Sequence, residues 1–358
     1  MMWSEILINY GVFILEIITL LLVIVAIAGI ILAVRKQDKD KAGELKIIDL
    51  KEQYQENQTK LKNFRLSETI LKAQEKQEKK LIKEEEKAEK ARLKKATNNL
   101  SEPELKSCLF VINFNGDPMA SQTSSLREVI SAILQVARPE KDEVLLRLES
   151  PGGVVQGYGL AASQLKRIKQ KGIKLTIAVD QVAASGGYMM ACVADKIVSA
   201  PFAIVGSIGV VAQLPNIHRF LKKHDVDVDV MTAGEFKRTM TVLGENTEKG
   251  KQKFQQDLDN IHQLFKQFVV ENRPHITIDT VATGEYWFGQ QALELGLIDE
   301  IATSDDLILA AIENEDKDVL EVKYHTKRTL GQKLGKQAEQ SVDNLLIRWW
   351  QRTQKPWL

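Results

Sequence analysis

The sequence is poor in the residues that most often carry redox and metal chemistry. Its 358 residues include two cysteines and five histidines. Cys108 and Cys192 sit in apolar surroundings and belong to no Cys-x-x-Cys spacing, so they read as core residues. The histidines form no His-Glu-x-x-His and no cluster, which leaves no metal site and no cofactor to expect. Net charge is also nearly absent: 49 Lys and Arg face 48 Asp and Glu. That balance gives no basis for bulk electrostatic binding of nucleic acid. The Gly-x-Ser-x-Gly nucleophile elbow is missing as well.

What is present begins with a long apolar run. Ile17 to Val34 is eighteen residues without a charge, with Thr19 its one polar group. As a helix it would extend roughly 27 Å, about the thickness of the hydrocarbon layer. Ala26-Ile27-Ala28 resembles a cleavage site, but no Lys or Arg precedes the run, which continues six residues past Ala28. A signal peptide needs a basic start and a short apolar region. Residues 1–35 are therefore expected to be an uncleaved, single-pass membrane anchor. Arg35, Lys36, Lys39 and Lys41 follow it, which favours a cytoplasmic carboxyl side.

Residues 36–102 read as a Lys/Glu-rich helical stalk or linker. Between Leu71 and Ala96, sixteen of twenty-six residues are charged, with both signs mixed and no Pro or Gly. The sparse apolar positions hold no heptad, so a coiled-coil arm is the weaker alternative. Composition changes at Pro103. From there strands and helices alternate at short intervals: strands at Cys108–Gly116, Glu143–Leu148, Ile173–Val179, "KIVSA", "GSIGVVA" and "VDVDVM", and helices at Ser121–Ala137, Val154–Gln170, Ser185–Ala194 and Asn216–His224. This alternation predicts an α/β domain with largely parallel pairing over residues 103–315. Phe254, Leu258, Ile261, Phe265 and Phe268 form one apolar face of a long helix over Thr247–Asn272. Trp287–Ile301 reads as a helix ended by Gly296 and followed by a short strand. Residues 316–358 read as a basic tail in which Trp349 and Trp350 either sit at a membrane interface or pack on the domain.

Two strand–turn–helix junctions carry glycine pairs, "ESPGGVV" and "AASGGYM". Paired glycines open a helix poorly, each costing about 1 kcal/mol against alanine. They do let a substrate carbonyl approach free backbone N–H groups, where the helix dipole favours an oxyanion. Ser185 stands where a nucleophile would, directly before Gly186. The plainer reading is a serine N-cap beside a tight turn. A serine nucleophile needs a base: His218, on a basic amphipathic stretch, or a lysine kept neutral by desolvation. Lys237, in "MTAGEFKRTMT", stands apart from the charge runs that hold most lysines.

The segments "LRLESPGG", "DQVAASGGYMMACVADKIVSAPFAIVGSIGVV", "TAGEFKRTMT" and "GQQALELGLIDEI", in that order, resemble the SohB branch of the signal-peptide-peptidase (SppA-like) serine peptidases. The likeness is closest over about residues 105–305. It implies a ClpP/crotonase-like α/β core with Ser185 as nucleophile, Lys237 as general base fifty-two residues on, and Gly153 and Gly186 as oxyanion donors. Thr239 or Thr241 is implied near the base. The resemblance further implies ring-like homo-oligomers, some with the lysine supplied by a neighbouring subunit. The implied substrates are peptides or proteins with extended apolar or unfolded segments, at a bacterial inner membrane and in contact with its lipid. The catalytic side implied is periplasmic, against the basic residues after Val34. Two other readings compete: a non-catalytic membrane scaffold on the same fold, and an acyl-CoA enzyme of the crotonase type.

Overall fold

A computed structural model of the chain describes residues 43–65 and 105–325. The expected anchor, most of the expected stalk and the tryptophan-bearing tail lie outside the described residues. Among the described residues no helix is long and apolar enough to cross a membrane.

The main compact unit spans Lys46–Lys323. It is built on a seven-stranded sheet of β1 (Glu44–Asp49), β2 (Ser107–Asn115), β3 (Glu143–Glu149), β4 (Lys174–Val179), β6 (Lys196–Ser199), β9 (Glu300–Ile301) and β10 (Lys317–His325), in the order β1-β10-β2-β3-β4-β6-β9. The pairs from β10 through β9 are all parallel. A second, smaller sheet has the order β5 (Val182–Ala184), β7 (Ile204–Gly206), β8 (Tyr286–Phe288); β5 and β7 are parallel, β7 and β8 antiparallel. The α/β class and the parallel pairing are as the alternation of elements predicts. Residues 43–45 and 324–325 group apart from this unit, with the Gly43 N–H donating to Tyr324 Oη at 2.8 Å.

Strand alternation sends Leu109 and Val111 to one face of the sheet and Phe110, Ile112 and Phe114 to the other. On the first face they join Leu145, Ala178, Val198 and Val319, covered by Leu50 of α1 (Leu50–Phe64) and by Ile308 and Ala311 of α9 (Ser304–Glu313). On the other lie α2 (Thr123–Val136) and α3 (Val155–Gln170), which pack on each other and on β2 and β4.

The boundaries drawn from composition, 103 and 315, leave three elements of this architecture outside the domain. β1 and α1 come from the stretch read as stalk, and β10 from the stretch read as tail. The Asp49 carboxylate caps α1 by accepting from the Glu52 N–H at 3.0 Å, and Lys51 Nζ donates to the Asn314 carbonyl at 3.0 Å. Leu50 and a half-buried Tyr54 hold a helix whose other apolar residues, Leu61 and Phe64, are exposed, so composition alone reads it as solvated.

Two predicted strands do not form. "GSIGVVA" is ended at its first residues, because Gly206 (φ 100°) and Ser207 (φ 52°) leave the extended region. "VDVDVM" has the alternation of a strand but pairs with no strand among the described residues, and its backbone stays irregular. Trp287 and Phe288 belong to β8, so the predicted helix there begins only at Gly289 (α8, Gly289–Glu294). Gly296, at φ 74°, follows the last turn as expected.

Asp142 ties the start of β2 to the end of α2. Its carboxylate accepts from the Cys108 N–H (2.9 Å), the Arg138 N–H (2.7 Å), Arg138 Nε (3.0 Å) and Arg138 Nη2 (2.8 Å). Burial alone would raise this carboxyl, but the donors outweigh it and hold it below its ordinary value. The unfolded chain therefore binds the Asp142 proton at higher pH than the folded one, and the stabilisation it gives is present above the ordinary carboxylate value. Stability should fall as pH drops below about 4, and Asp142→Asn should flatten that acid limb in denaturant titrations run across pH. For α1, Leu50→Ala should cost about 2–5 kcal/mol in equilibrium unfolding, as for a core leucine; a solvated linker would lose nothing measurable.

Candidate active site

Ser185 occupies the single residue between β5 and α4 (Gly186–Ala191). Its backbone stands at φ 53°, ψ −117°, a conformation that L-residues avoid and that costs on the order of 1–3 kcal/mol. An ordinary N-cap serine is extended and accepts a hydrogen bond from the first turn. Ser185 does neither, since its side chain makes no capping bond. The strained turn is held by its own amide, which donates to the Gly206 carbonyl at 2.8 Å, and by its carbonyl, which accepts from the Met189 N–H at 3.0 Å. Behind it α4 is fully buried, with Tyr188 Oη donating to the Leu297 carbonyl at 2.9 Å. The hydroxyl is thus left uncommitted on a rigid support.

The second glycine junction lies directly against this turn. Gly152 has φ 91°, and a Cβ there would come within 2.7 Å of Ser185 Cβ and 2.8 Å of the Gly186 nitrogen. No other residue type fits that approach. A Cβ on Gly186 would meet Tyr158 Cγ at 2.4 Å. The two predicted oxyanion donors therefore belong to junctions in contact. The Gly152 N–H is engaged by Ser150 Oγ at 3.1 Å. The N–H groups of Gly153 and Gly186 have no acceptor among the described residues. Gly186 opens α4, so its amide has no partner within the helix.

Lys237 is not brought to Ser185 in the single chain. It lies exposed in the irregular stretch between α5 (His218–Lys223) and α6 (Glu248–Asn272), its amide closing a turn on the Gly234 carbonyl at 3.2 Å. No hydrogen bond joins it to Ser185 among the described residues. His218 begins α5, its N–H donating to Asn216 Oδ1 at 3.2 Å, and no carboxylate among the described residues holds its ring. Thr239 and Thr241 flank the Lys237 turn: the Thr239 carbonyl abuts Gly250 of α6, and the Thr241 carbonyl accepts from Asn216 Nδ2 at 2.9 Å and Asn246 Nδ2 at 3.0 Å.

Burial pushes the Cys108 and Cys192 thiols up to about 12, so neither supplies a thiolate nucleophile near neutral pH. Sequence reasoning missed Ser150 and Tyr158, both fully buried beside the glycine junctions. Ser150 stands one residue before the quoted Pro-Gly-Gly. Tyr158 carries no sequence signal that sets it apart from an ordinary core aromatic.

Comparison with known proteins gives the family. Residues 5–165 match the family described as peptidase family S49 N-terminal, and residues 167–319 match peptidase family S49. A Haemophilus influenzae protein named "Probable protease SohB" is 62% identical over 348 residues, covering 97% of each chain. A protein of the same name from Buchnera aphidicola subsp. Schlechtendalia chinensis is 48% identical over 306 residues, covering 86% of this chain and 99% of its own. Among solved structures, a variant of the 1510-N membrane-bound stomatin-specific protease in complex with a substrate peptide aligns with a TM-score of 0.39 at 14% identity, over 64% of this chain and 96% of that one. With close kinship to named proteases along nearly its whole length and both family regions present in order, the chain belongs to peptidase family S49.

Proposed function

We propose that this peptidase is a membrane-anchored serine endopeptidase of the SohB type on a ClpP/crotonase-like core, with Ser185 as nucleophile and Lys237 as general base. The observation that carries the nucleophile is the turn at Ser185. A serine with positive φ, no capping bond and two free backbone N–H groups nearby has no structural task that explains its strain. In the proposed reaction neutral Lys237 Nζ takes the Ser185 proton as Oγ attacks a peptide carbonyl. The Gly153 and Gly186 N–H groups hold the tetrahedral oxyanion, and the ammonium then protonates the leaving amine. Water, activated by the same lysine, hydrolyses the acyl-enzyme on Ser185.

A lysine that acts as a base must be stripped of water, and Lys237 is exposed in the isolated chain. We infer that a second copy of the chain covers it and that the site is completed between subunits of a homo-oligomer. α5 and the chain on either side of it leave Val211, Phe220 and Met231 exposed, at 90%, 63% and 91%. Apolar residues at that exposure are suited to burial in such a contact. The uncharged run Ile17–Val34 supports a single-pass anchor in a bacterial inner membrane. Apolar or unfolded peptide segments near the membrane are then the natural substrates.

Ser185→Ala and Lys237→Ala should each lower hydrolysis of an apolar peptide at least about a thousandfold while the melting temperature holds. Full activity in either variant would remove that residue from the mechanism. Reassembly of the two inactive variants in equal amounts distinguishes the source of the lysine. A shared site restores about a quarter of wild-type activity, whereas a site within one chain restores none.

A further inference from the structure

Between the two glycine junctions lies a chain of buried hydroxyls that the reaction above does not use. Ser150 and Tyr158 are both 0% exposed. Tyr158 Oη lies 2.9 Å from the Asp117 carbonyl and 2.6 Å from Ser150 Oγ, which in turn lies 3.1 Å from the Gly152 nitrogen. The direction of each bond follows from counting protons. The Asp117 carbonyl can only accept, so the one Tyr158 proton goes there. Ser150 must then donate its own proton to Tyr158 Oη, leaving Ser150 Oγ to accept from the Gly152 N–H. Burial raises the Tyr158 phenol, with the Ser150 bond opposing the rise, so the phenol stays a donor at neutral pH.

The same two residues grip both sides of the site by their remaining atoms. The Ser150 N–H donates to the Val182 carbonyl at 2.8 Å, and its carbonyl accepts from the Ala184 N–H at 3.0 Å. That bridge fastens the end of β3 to β5, the strand that delivers Ser185. The Tyr158 ring packs against the Gly186 backbone and lies edge-on to Phe114, with centroids 6.4 Å apart. A Cβ on Gly116 would strike both hydroxyls, at 2.2 Å for Ser150 Oγ and 2.4 Å for Tyr158 Oη, so the chain there makes room for them.

We propose that Ser150 and Tyr158 are positioning residues of the oxyanion site: by engaging the Gly152 amide they fix the Gly152–Gly153 turn, so that the Gly153 N–H, and not that of Gly152, is presented beside the Gly186 N–H. This rests on the reading of Ser185 as nucleophile. Neither hydroxyl touches substrate; each acts through the backbone it orients. A donor displaced by a fraction of an ångström weakens the transition state more than the ground state, because the oxyanion exists only in the former.

The test uses Tyr158→Phe, which keeps the packed ring and removes only the hydroxyl, with Ser150→Ala beside it, in the full-length protein. Acylatable sites are titrated by mass shift at Ser185, and kcat is expressed per titrated site. The expected result is a fall in kcat of about 10- to 100-fold with KM within about twofold. A peptide aldehyde, whose hemiacetal oxygen mimics the oxyanion, should lose affinity in parallel with kcat. Wild-type kcat per titrated site in Tyr158→Phe would overturn the positioning role. So would a loss that lies wholly in KM or in the number of folded molecules. Wild-type protein that hydrolyses peptides with no adduct at Ser185, and unimpaired by Ser185→Ala, would instead overturn the nucleophile and this proposal with it.

Discussion

The site depends on one contact: two backbone turns meeting with no side chain between them. Gly152 lies so close to Ser185 that a single added carbon would collide with it. That closeness is produced by the sheets. β4 ends at Val179, and the chain leaves the main sheet at Asp180, whose carboxylate accepts from the Ser304 N–H at 2.8 Å and the Ser304 hydroxyl at 2.6 Å. β5 then starts the small sheet, and the bridge between Ser150 and Ala183 draws it alongside the end of β3. Ser185 emerges at the carboxyl ends of parallel strands, where α/β proteins usually place their ligands.

Strain at Ser185 requires compensation nearby. Its turn is clamped by the Gly206 carbonyl on one side and a wholly buried helix on the other. Gly206 is itself placed by the pairing of β7 with β8, where it faces Tyr286, and a Cβ on it would meet the Trp287 ring at 2.8 Å. The small sheet therefore has a task beyond covering core. It sets the acceptor that holds the serine amide, and so fixes the backbone from which the side chain projects.

The central strands and helices are legible in the sequence because their pattern is strong. "CLFVINFN" is apolar nearly throughout and "EVLLRLE" carries an apolar centre, as strands buried on both faces must, and they pair in register from Leu109 with Glu143 onward. The elements that escape are those whose fit comes from tertiary partners. β10 reads as a polar stretch because Glu321 sits in it. That carboxylate is buried with Asn113, Arg147 and Lys323 around it, and the three donors outweigh burial and hold it below its ordinary value. "VDVDVM" fails in the opposite sense: it has the right alternation and no partner strand among the described residues. At the site, the glycine pairs betray the junctions, since glycine has few other reasons to recur there. Tyr158 betrays nothing, because a buried tyrosine looks the same whether its hydroxyl caps a carbonyl or orders an active-site turn.

The proposed nucleophile and the proposed base are held by different physics. Ser185 is fixed by burial, strain and backbone hydrogen bonds within the core. The Lys237 turn is fixed from outside, by polar and cationic ties to α6: Glu235 pairs with Lys249, Lys249 and Lys253 lie 5.7 and 5.8 Å from the Phe236 ring centroid, and Asn216, Thr241 and Asn246 clasp the ends of the stretch. Such ties order a segment without drying it. On the proposed reading, a nucleophile and oxyanion site preformed in the core and a base held apart from it, ordered yet exposed, make an arrangement in which assembly supplies both the approach and the missing desolvation. On the proposed reading, the monomer would then carry little proteolytic hazard, and activity would follow the contact that removes water from Lys237.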